Sequence, residues 1–159
     1  MTEAALFPTI TVAVDGSANA AEAVDVAIDL AKRYGSRLTI LTVAPTPAVY
    51  LTPGEPWVVP EGAESELPSY QSLVDTFAAK ARDQGVSSVR AVAVEGVVVD
   101  EVLGFQEREP SSLFVVGSRG LSRTRRILLG SVSTAVVQSV KNAAVLIVHP
   151  SGGATKPSS

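Results

Sequence analysis

Several residue types are missing or rare in this chain, and each absence excludes a class of site. The 159 residues include no cysteine, so disulfides and thiolate metal sites are excluded. No Gly-Lys-Ser or Gly-Lys-Thr occurs, so the phosphate loop of Walker A type is excluded. No apolar run approaches the ~20 residues of a membrane span. The first ten residues lack a basic region followed by an apolar stretch, so we expect no signal peptide.

Charged residues are also few, at 18% of the chain, and the net charge of −3 argues against general nucleic-acid binding. Hydrophobic residues make up 46%, which is typical of a globular protein. A chain of 159 residues suffices for one domain with a full core. We therefore expect one domain over residues 1–150, a disordered tail over 151–159 and a cytoplasmic location, with no membrane or nucleic-acid partner.

Apolar segments rich in β-branched residues alternate with segments of helical periodicity. The predicted strands are residues 9–14, 37–43, 86–94, 112–116 and 144–148. A helix lies between each strand and the next, and the first has a capping serine, Ser17, and a terminating glycine, Gly35. This alternation predicts the α/β class, with a single doubly wound five-stranded parallel sheet, helices on both faces and a Rossmann-like architecture. Such sheets bind ligands beyond the carboxyl ends of their strands.

Residues 44–67 interrupt the alternation. Six of the ten prolines fall between Pro45 and Pro68, which disfavours helix and interior strand. A loop of this length is either a variable surface insertion or a flap that closes over a ligand, with Trp57 or Tyr50 against it.

The stretch between the fourth strand and the last helix carries the strongest chemical signal. Gly117, Gly120, Gly130 and Ser131 form the pattern G-x2-G-x9-G-S. Glycines let backbone N–H groups approach a ligand, and a helix N-terminus adds partial positive charge, so the pattern predicts a phosphate site. Four arginines accompany it and either contact phosphate or form a solvated face: Arg119, Arg123, Arg125 and Arg126.

This motif, the opening strand that ends in Val14-Asp15-Gly16-Ser17 and the closing VLIVHP resemble the ATP-binding branch of the universal stress protein family. The resemblance implies the sheet order 3-2-1-4-5. It places Asp15 on the ribose, an apolar slot around the adenine, and backbone N–H groups on the phosphates. The residues that it assigns to nucleotide binding are Ala13, Val14, Asp15, Val43, Val116, Gly117, Gly120, Gly130, Ser131, Val132 and Ser133.

Ser131 and Ser133 are expected to offer hydroxyls to phosphate or to Mg2+. Other roles stay open for three residues: Asp15 as a cap of the first turn, Gly130 as a packing glycine and Ser131 as an N-cap. His149, the only histidine, is expected to be exposed or at a subunit contact rather than catalytic.

The implied cofactor is ATP, with AMP or ADP as alternatives, and with Mg2+. The implied function is a nucleotide-dependent regulatory or stress-response protein with little or no catalysis. It is expected to form a homodimer through its last strand and to act on an unidentified protein partner. Two other functions remain: slow ATP hydrolysis or adenylyl transfer, and a nucleotide-free dimeric interaction module.

The sequence departs from the common family pattern at three places, and none of them touches the phosphate motif. Val97-Val98 stands where a proline often follows the glycine, Ser111-Ser112 where an Asp often precedes the fourth strand, and Asn142-Ala143-Ala144 where a proline-containing turn is usual.

Overall fold

Five strands and four helices alternate along the computed structural model, which describes residues 4–46, 61–119 and 130–151. The elements in chain order are β1 Thr9–Val14, α1 Ala18–Tyr34, β2 Arg37–Pro45, α2 Leu67–Asp83, β3 Val89–Gly96, α3 Val98–Arg108, β4 Leu113–Gly117, α4 Ser131–Ser139 and β5 Ala144–Val148.

All five strands are parallel, in the order β3-β2-β1-β4-β5. This confirms the predicted fold. The winding direction reverses between β1 and β4, which are neighbours paired with Ala13 opposite Val116. Their carboxyl ends, at Asp15 and Ser118, therefore open on the crevice where such sheets bind ligands.

Each face of the sheet has its own apolar core. One core packs α1 and α2 against the sheet and contains Val14, Val24 and Val74. The other packs α3 and α4 against the opposite face and contains Val43, Val116 and Val136. Burial on both faces explains why the strands are nearly continuous apolar runs.

Local signals set the ends of α1 as predicted. Ser17 Oγ accepts a hydrogen bond from Ala20 N at 3.1 Å, and Gly35 ends the helix in the left-handed region at φ 64°. Lys32 and Arg33 lie in the last turn, where cations complement the helix dipole.

The prediction for β3 was wrong at both ends. Val86 was assigned to the strand, but its N–H bonds to Ala81 O at 3.0 Å, so it closes the end of α2 and packs in the core. The predicted strand ends at Val94, but Glu95 and Gly96 continue it opposite Ala44 and Pro45. A local pattern cannot reveal how far a parallel partner extends.

The proline-rich segment is described only at its edges. β2 continues to Pro45, and α2 begins at Leu67 with a proline in its first turn. The postulated flap, with Tyr50 and Trp57, lies outside the described residues, as does the tail 152–159. In the part of the chain that is described, no helix combines the length and apolar character needed to cross a membrane.

Candidate functional site

The motif glycines meet at the carboxyl end of β4. Gly130 N donates to Ser118 O at 2.7 Å, which brings the start of α4 back to the end of the strand. Ser118 N donates in turn to Val148 O at 2.9 Å, at the end of β5. Two of the motif's glycines, Gly117 and Gly130, therefore lie close together, whereas Gly120 lies outside the described residues.

The first turn of α4 presents backbone donors beside these glycines. The helix begins at Ser131, and its N-cap is Gly130, which contributes no side-chain cap. The alternative role of Ser131 as the N-cap is therefore wrong. The first N–H groups of an α-helix have no partner within the helix, and they carry partial positive charge. This end of α4 can accept an anion.

The two serines of this turn are in different environments. Ser131 is exposed. Ser133 is 3% exposed, and its hydroxyl donates to Gly117 O. The Ser133 hydroxyl thus fastens α4 to the end of β4, whereas the Ser131 hydroxyl lies where a ligand can reach it.

The apolar residues assigned to nucleotide binding fall on one face of the sheet, with one exception. Val43 and Val116 are buried in the core under α3 and α4, and Ala13 and Val132 pack against that core. Val14 belongs to the opposite core, and its carbonyl accepts a hydrogen bond from Thr42 Oγ1 at 2.7 Å. The structure therefore brings together the side chains of Val43, Val116, Ala13 and Val132. The side chain of Val14 lies on the other face of the sheet.

Asp15 caps the turn after β1, because its Oδ1 accepts a hydrogen bond from Ser17 N at 3.0 Å. The residue is half-buried. Capping and ligand binding are compatible, since an ionised carboxylate has about four acceptor sites. Asp15 lies across the crevice from Ser118, directly after β1, which is the strand next to β4.

The start of α2 covers the same turn. A Cβ on Gly16, which has φ 83°, would lie 3.6 Å from Leu73 Cδ2. Tyr70 is one helical turn before Leu73, on the same side of α2. Burial raises the pKa of Tyr70, and the negative charges of Glu66 and Asp15 raise it further. The Tyr70 hydroxyl is thus within electrostatic reach of the Asp15 carboxylate.

Sequence reasoning missed Asn19, which connects the end of β5 to the loop after β4. Its Nδ2 donates to Val148 O at 3.0 Å, and its Oδ1 accepts from Arg119 N at 2.9 Å. A signal was available, because Asn19 continues the buried series Ala23 and Ala27 at a spacing of four. A polar residue on a buried helix face needs partners, and here both are backbone groups.

Of the four arginines, only Arg119 belongs to the described residues, and it is exposed. His149 is exposed directly after β5, as expected. No group of three or more histidine or acidic residues that could hold a metal ion occurs in ranges 4–46, 61–119 and 130–151. Within those ranges the arrangement suits an anion, and the exposed Ser131 hydroxyl could ligate a cation held chiefly by that anion.

Comparison with known proteins places this geometry in a family context. Residues 7–149 match the model of the universal stress protein family. Universal stress protein YxiE of Bacillus subtilis is 34% identical over 151 residues, which cover 91% of this chain and 100% of the relative.

Two solved structures share the fold. A universal stress protein in complex with cAMP has a TM-score of 0.64 and 28% identity, over 90% of this chain and 97% of its own. The universal stress protein from Archaeoglobus fulgidus in complex with dAMP has a TM-score of 0.61 and 19% identity, over 90% and 98%.

Proposed function

The chain belongs to the universal stress protein family, and from that premise we propose that the crevice between β1 and β4 binds an adenine nucleotide, ATP with Mg2+ foremost. In this proposal the nucleotide switches the state or partner of a regulatory protein and is hydrolysed slowly or not at all. AMP, ADP and cyclic AMP are the competing ligands, and a 28% identical relative was solved with cAMP.

The observation that carries the proposal is the hydrogen bond from Gly130 N to Ser118 O, at 2.7 Å. It sets the N-terminus of α4 beside the end of β4, at the switch point of the sheet. The phosphates would contact the N–H groups of Ser131 and Val132, since that of Gly130 donates to Ser118 O. Gly117 and Gly120 would border the ribose and α-phosphate.

The base and the ribose would occupy the two sides of the β1 end. Ala13, Val43 and Val116 offer an apolar slot for adenine on the α3 and α4 side. Asp15 would accept hydrogen bonds from the ribose hydroxyls, which are charge-assisted. Val14 would contribute through its backbone, because its side chain belongs to the other core.

Mg2+ would be held chiefly by the phosphates, with the Ser131 hydroxyl as a protein ligand. Magnesium commonly keeps several waters and binds through few protein groups together with phosphates. The metal would neutralise phosphate charge in the bound state. Ser133 is not assigned to it, because its hydroxyl donates to Gly117 O.

We propose little catalysis because neither candidate general base is available: His149 is far from the crevice, and Asp15 is engaged in other contacts. His149 is exposed after β5 and separated from Asp15 by the width of β4. Asp15 accepts from Ser17 N and would contact the ribose. Steady multiple turnovers of ATP, lost on Asp15→Asn or Ser131→Ala, would instead assign an enzyme.

A homodimer through β5 completes the proposal. β5 is an edge strand whose last four residues are only half-buried, and Val137 on α4 is 50% exposed. An uncovered apolar edge favours pairing with a second copy. Light scattering should give twice the chain mass of 16.4 kDa. The variant Leu146→Lys should give the mass of a monomer.

Nucleotide binding is tested by two measurements on the purified protein. Mass spectrometry of the ligand released on denaturation identifies what the site holds. Titration calorimetry with ATP, ADP, AMP and cyclic AMP then ranks their affinities. Binding of an adenine nucleotide supports the proposal, and no binding by any of the four at millimolar concentration would favour the nucleotide-free interaction module.

A further inference from the structure

Asn19 is a buried amide whose two polar ends bond to separate parts of the backbone. The side chain is 6% exposed and lies in the first turn of α1. Its Nδ2 donates to Val148 O at 3.0 Å, 129 positions along the chain, and its Oδ1 accepts from Arg119 N at 2.9 Å, 100 positions away. Neither bond stabilises α1 itself. The side chain instead links the segments that follow β4 and end β5.

The two bonds act on residues 117–119, which begin the phosphate motif: one is made directly with Arg119 N, and the other acts through Val148 O. Val148 O accepts from Asn19 Nδ2 and also from Ser118 N, which ties β5, α1 and the loop at one atom. A Cβ on Gly117 would lie 2.8 Å from Asn19 Oδ1, so Asn19 fills the space where a side chain at 117 would go. The path of the chain from Gly117 to Arg119 is therefore set by Asn19.

That path decides where the phosphate donors lie. Ser118 O receives the bond from Gly130 N, and Gly117 O receives the Ser133 hydroxyl. Both groups on α4 are thus positioned against the segment that Asn19 holds. A displacement of this segment would move the N-terminus of α4 relative to β1.

We propose that Asn19 is a positioning residue of the nucleotide site, which holds residues 117–119 and the end of β5 in the geometry that binds phosphate. The inference rests on the nucleotide binding proposed above. Asn19 does not touch the ligand in this account. It acts through Arg119 N and Val148 O, so its loss weakens binding by releasing the loop.

The chain contains a matched control. Gln106 is also 6% exposed, and its amide makes the same two kinds of bond with the backbone, besides accepting from the Ser111 hydroxyl at 2.8 Å. Its Nε2 donates to Ser111 O and its Oε1 accepts from Ser111 N, both at 3.1 Å. These bonds lie before β4, at the end of the strand opposite the site. Gln106→Ala removes a comparable buried amide without touching the loop.

The experiment measures three quantities for wild type, Asn19→Ala and Gln106→Ala: the melting temperature, the affinity for ATP with Mg2+, and the hydrogen exchange rate of the Arg119 amide. We expect both variants to melt at lower temperature. Only Asn19→Ala should bind ATP about tenfold more weakly, from the loss of one buried hydrogen-bonded bridge. Only Asn19→Ala should exchange the Arg119 amide at least about tenfold faster.

Asn19→Ser serves if Asn19→Ala does not fold: it keeps a polar group at this position but is one bond too short to bridge Arg119 N and Val148 O, so ATP binding should weaken here too. Wild-type affinity in a folded Asn19 variant, or equal losses in the Asn19 and Gln106 variants, would overturn the inference and leave nucleotide binding intact. If wild type binds no nucleotide, the proposed function fails, and the nucleotide role of Asn19 fails with it. The hydrogen exchange rate of the Arg119 amide then tests separately whether Asn19 holds residues 117–119 in place.

Discussion

Asn19 and Gly117 share one space at the end of β4. A Cβ added to Gly117 would lie 2.8 Å from Oδ1 of Asn19, closer than real Cβ atoms approach, and 3.0 Å from its Cγ. The glycine that opens the phosphate motif is therefore required by its neighbour on α1, before any ligand is considered. The same contact aligns Asn19 Oδ1 with Arg119 N.

This relationship predicts non-additive effects on stability. Gly117→Ala should lower the free energy of unfolding by about 1–3 kcal/mol, because the added methyl overpacks the space against Asn19. Asn19→Ala should also be destabilising, through the loss of its two hydrogen bonds. The double variant should lose clearly less than the sum, because the alanine at 19 leaves room for the methyl. Chemical denaturation of all four proteins measures the coupling, and strict additivity would refute the shared space.

A second prediction concerns Tyr70 and Asp15. Burial, Glu66 and Asp15 all raise the pKa of Tyr70 in the folded protein. The folded state therefore keeps this proton where the unfolded chain loses it. The resulting stabilisation is complete below the unfolded tyrosine pKa of about 10 and is lost as the pH rises through the folded pKa. The free energy of unfolding should fall above about pH 10, and Tyr70→Phe should make that fall shallower.

Asp15→Asn should lower the pKa of Tyr70, since it removes one of the negative charges. The phenolate absorbance of each protein, minus that of its Tyr70→Phe counterpart, isolates this group from the other two tyrosines. Asp25→Asn is the control, because Asp25 pairs with Lys80 on the surface and does not act on Tyr70. An identical Tyr70 titration in wild type and Asp15→Asn would show that the two groups do not interact.

The two serines of α4 should separate stability from binding. Ser133→Ala leaves the half-buried Gly117 carbonyl without its hydroxyl donor and should cost about 1–3 kcal/mol of folding stability. Ser131→Ala changes an exposed side chain and should leave stability within about 0.5 kcal/mol. It should nevertheless weaken the binding of ATP with Mg2+. Unfolding and calorimetric titration of both variants decide this, and the reverse assignment would contradict the site.

Local chemistry determines most of the fold, and so most of it was predictable. Ser17 and Gly35 set the ends of α1 through bonds within a few residues, and the sequence contains both signals. The sheet order followed from the family resemblance, and the structure has it. The ends of β3 were mispredicted because they depend on β2 and on the closure of α2 at Val86.

The glycines of the candidate site were predictable from the sequence, whereas the residues that hold them in place were not. The motif spacing singled out Gly117 and Gly130, which the structure brings together through Ser118. The support from Asn19 depends on partners 100 and 129 positions away, which no local pattern specifies. The different environments of Ser131 and Ser133 follow from helix geometry combined with burial, which the sequence alone leaves open.

The central claim is tested most directly by thermal unfolding with and without ATP and Mg2+. Binding at a hundredfold excess over the dissociation constant stabilises a protein by about 2.7 kcal/mol, so the melting temperature of wild type should rise by about 5–10 °C. Gly130→Val should fold, because φ −67° and ψ 166° suit valine, and should show no rise. Gly104→Val on α3 is the control, and its melting temperature should still rise with ATP and Mg2+. An unchanged wild-type curve, or an equal rise in Gly130→Val, would contradict the account.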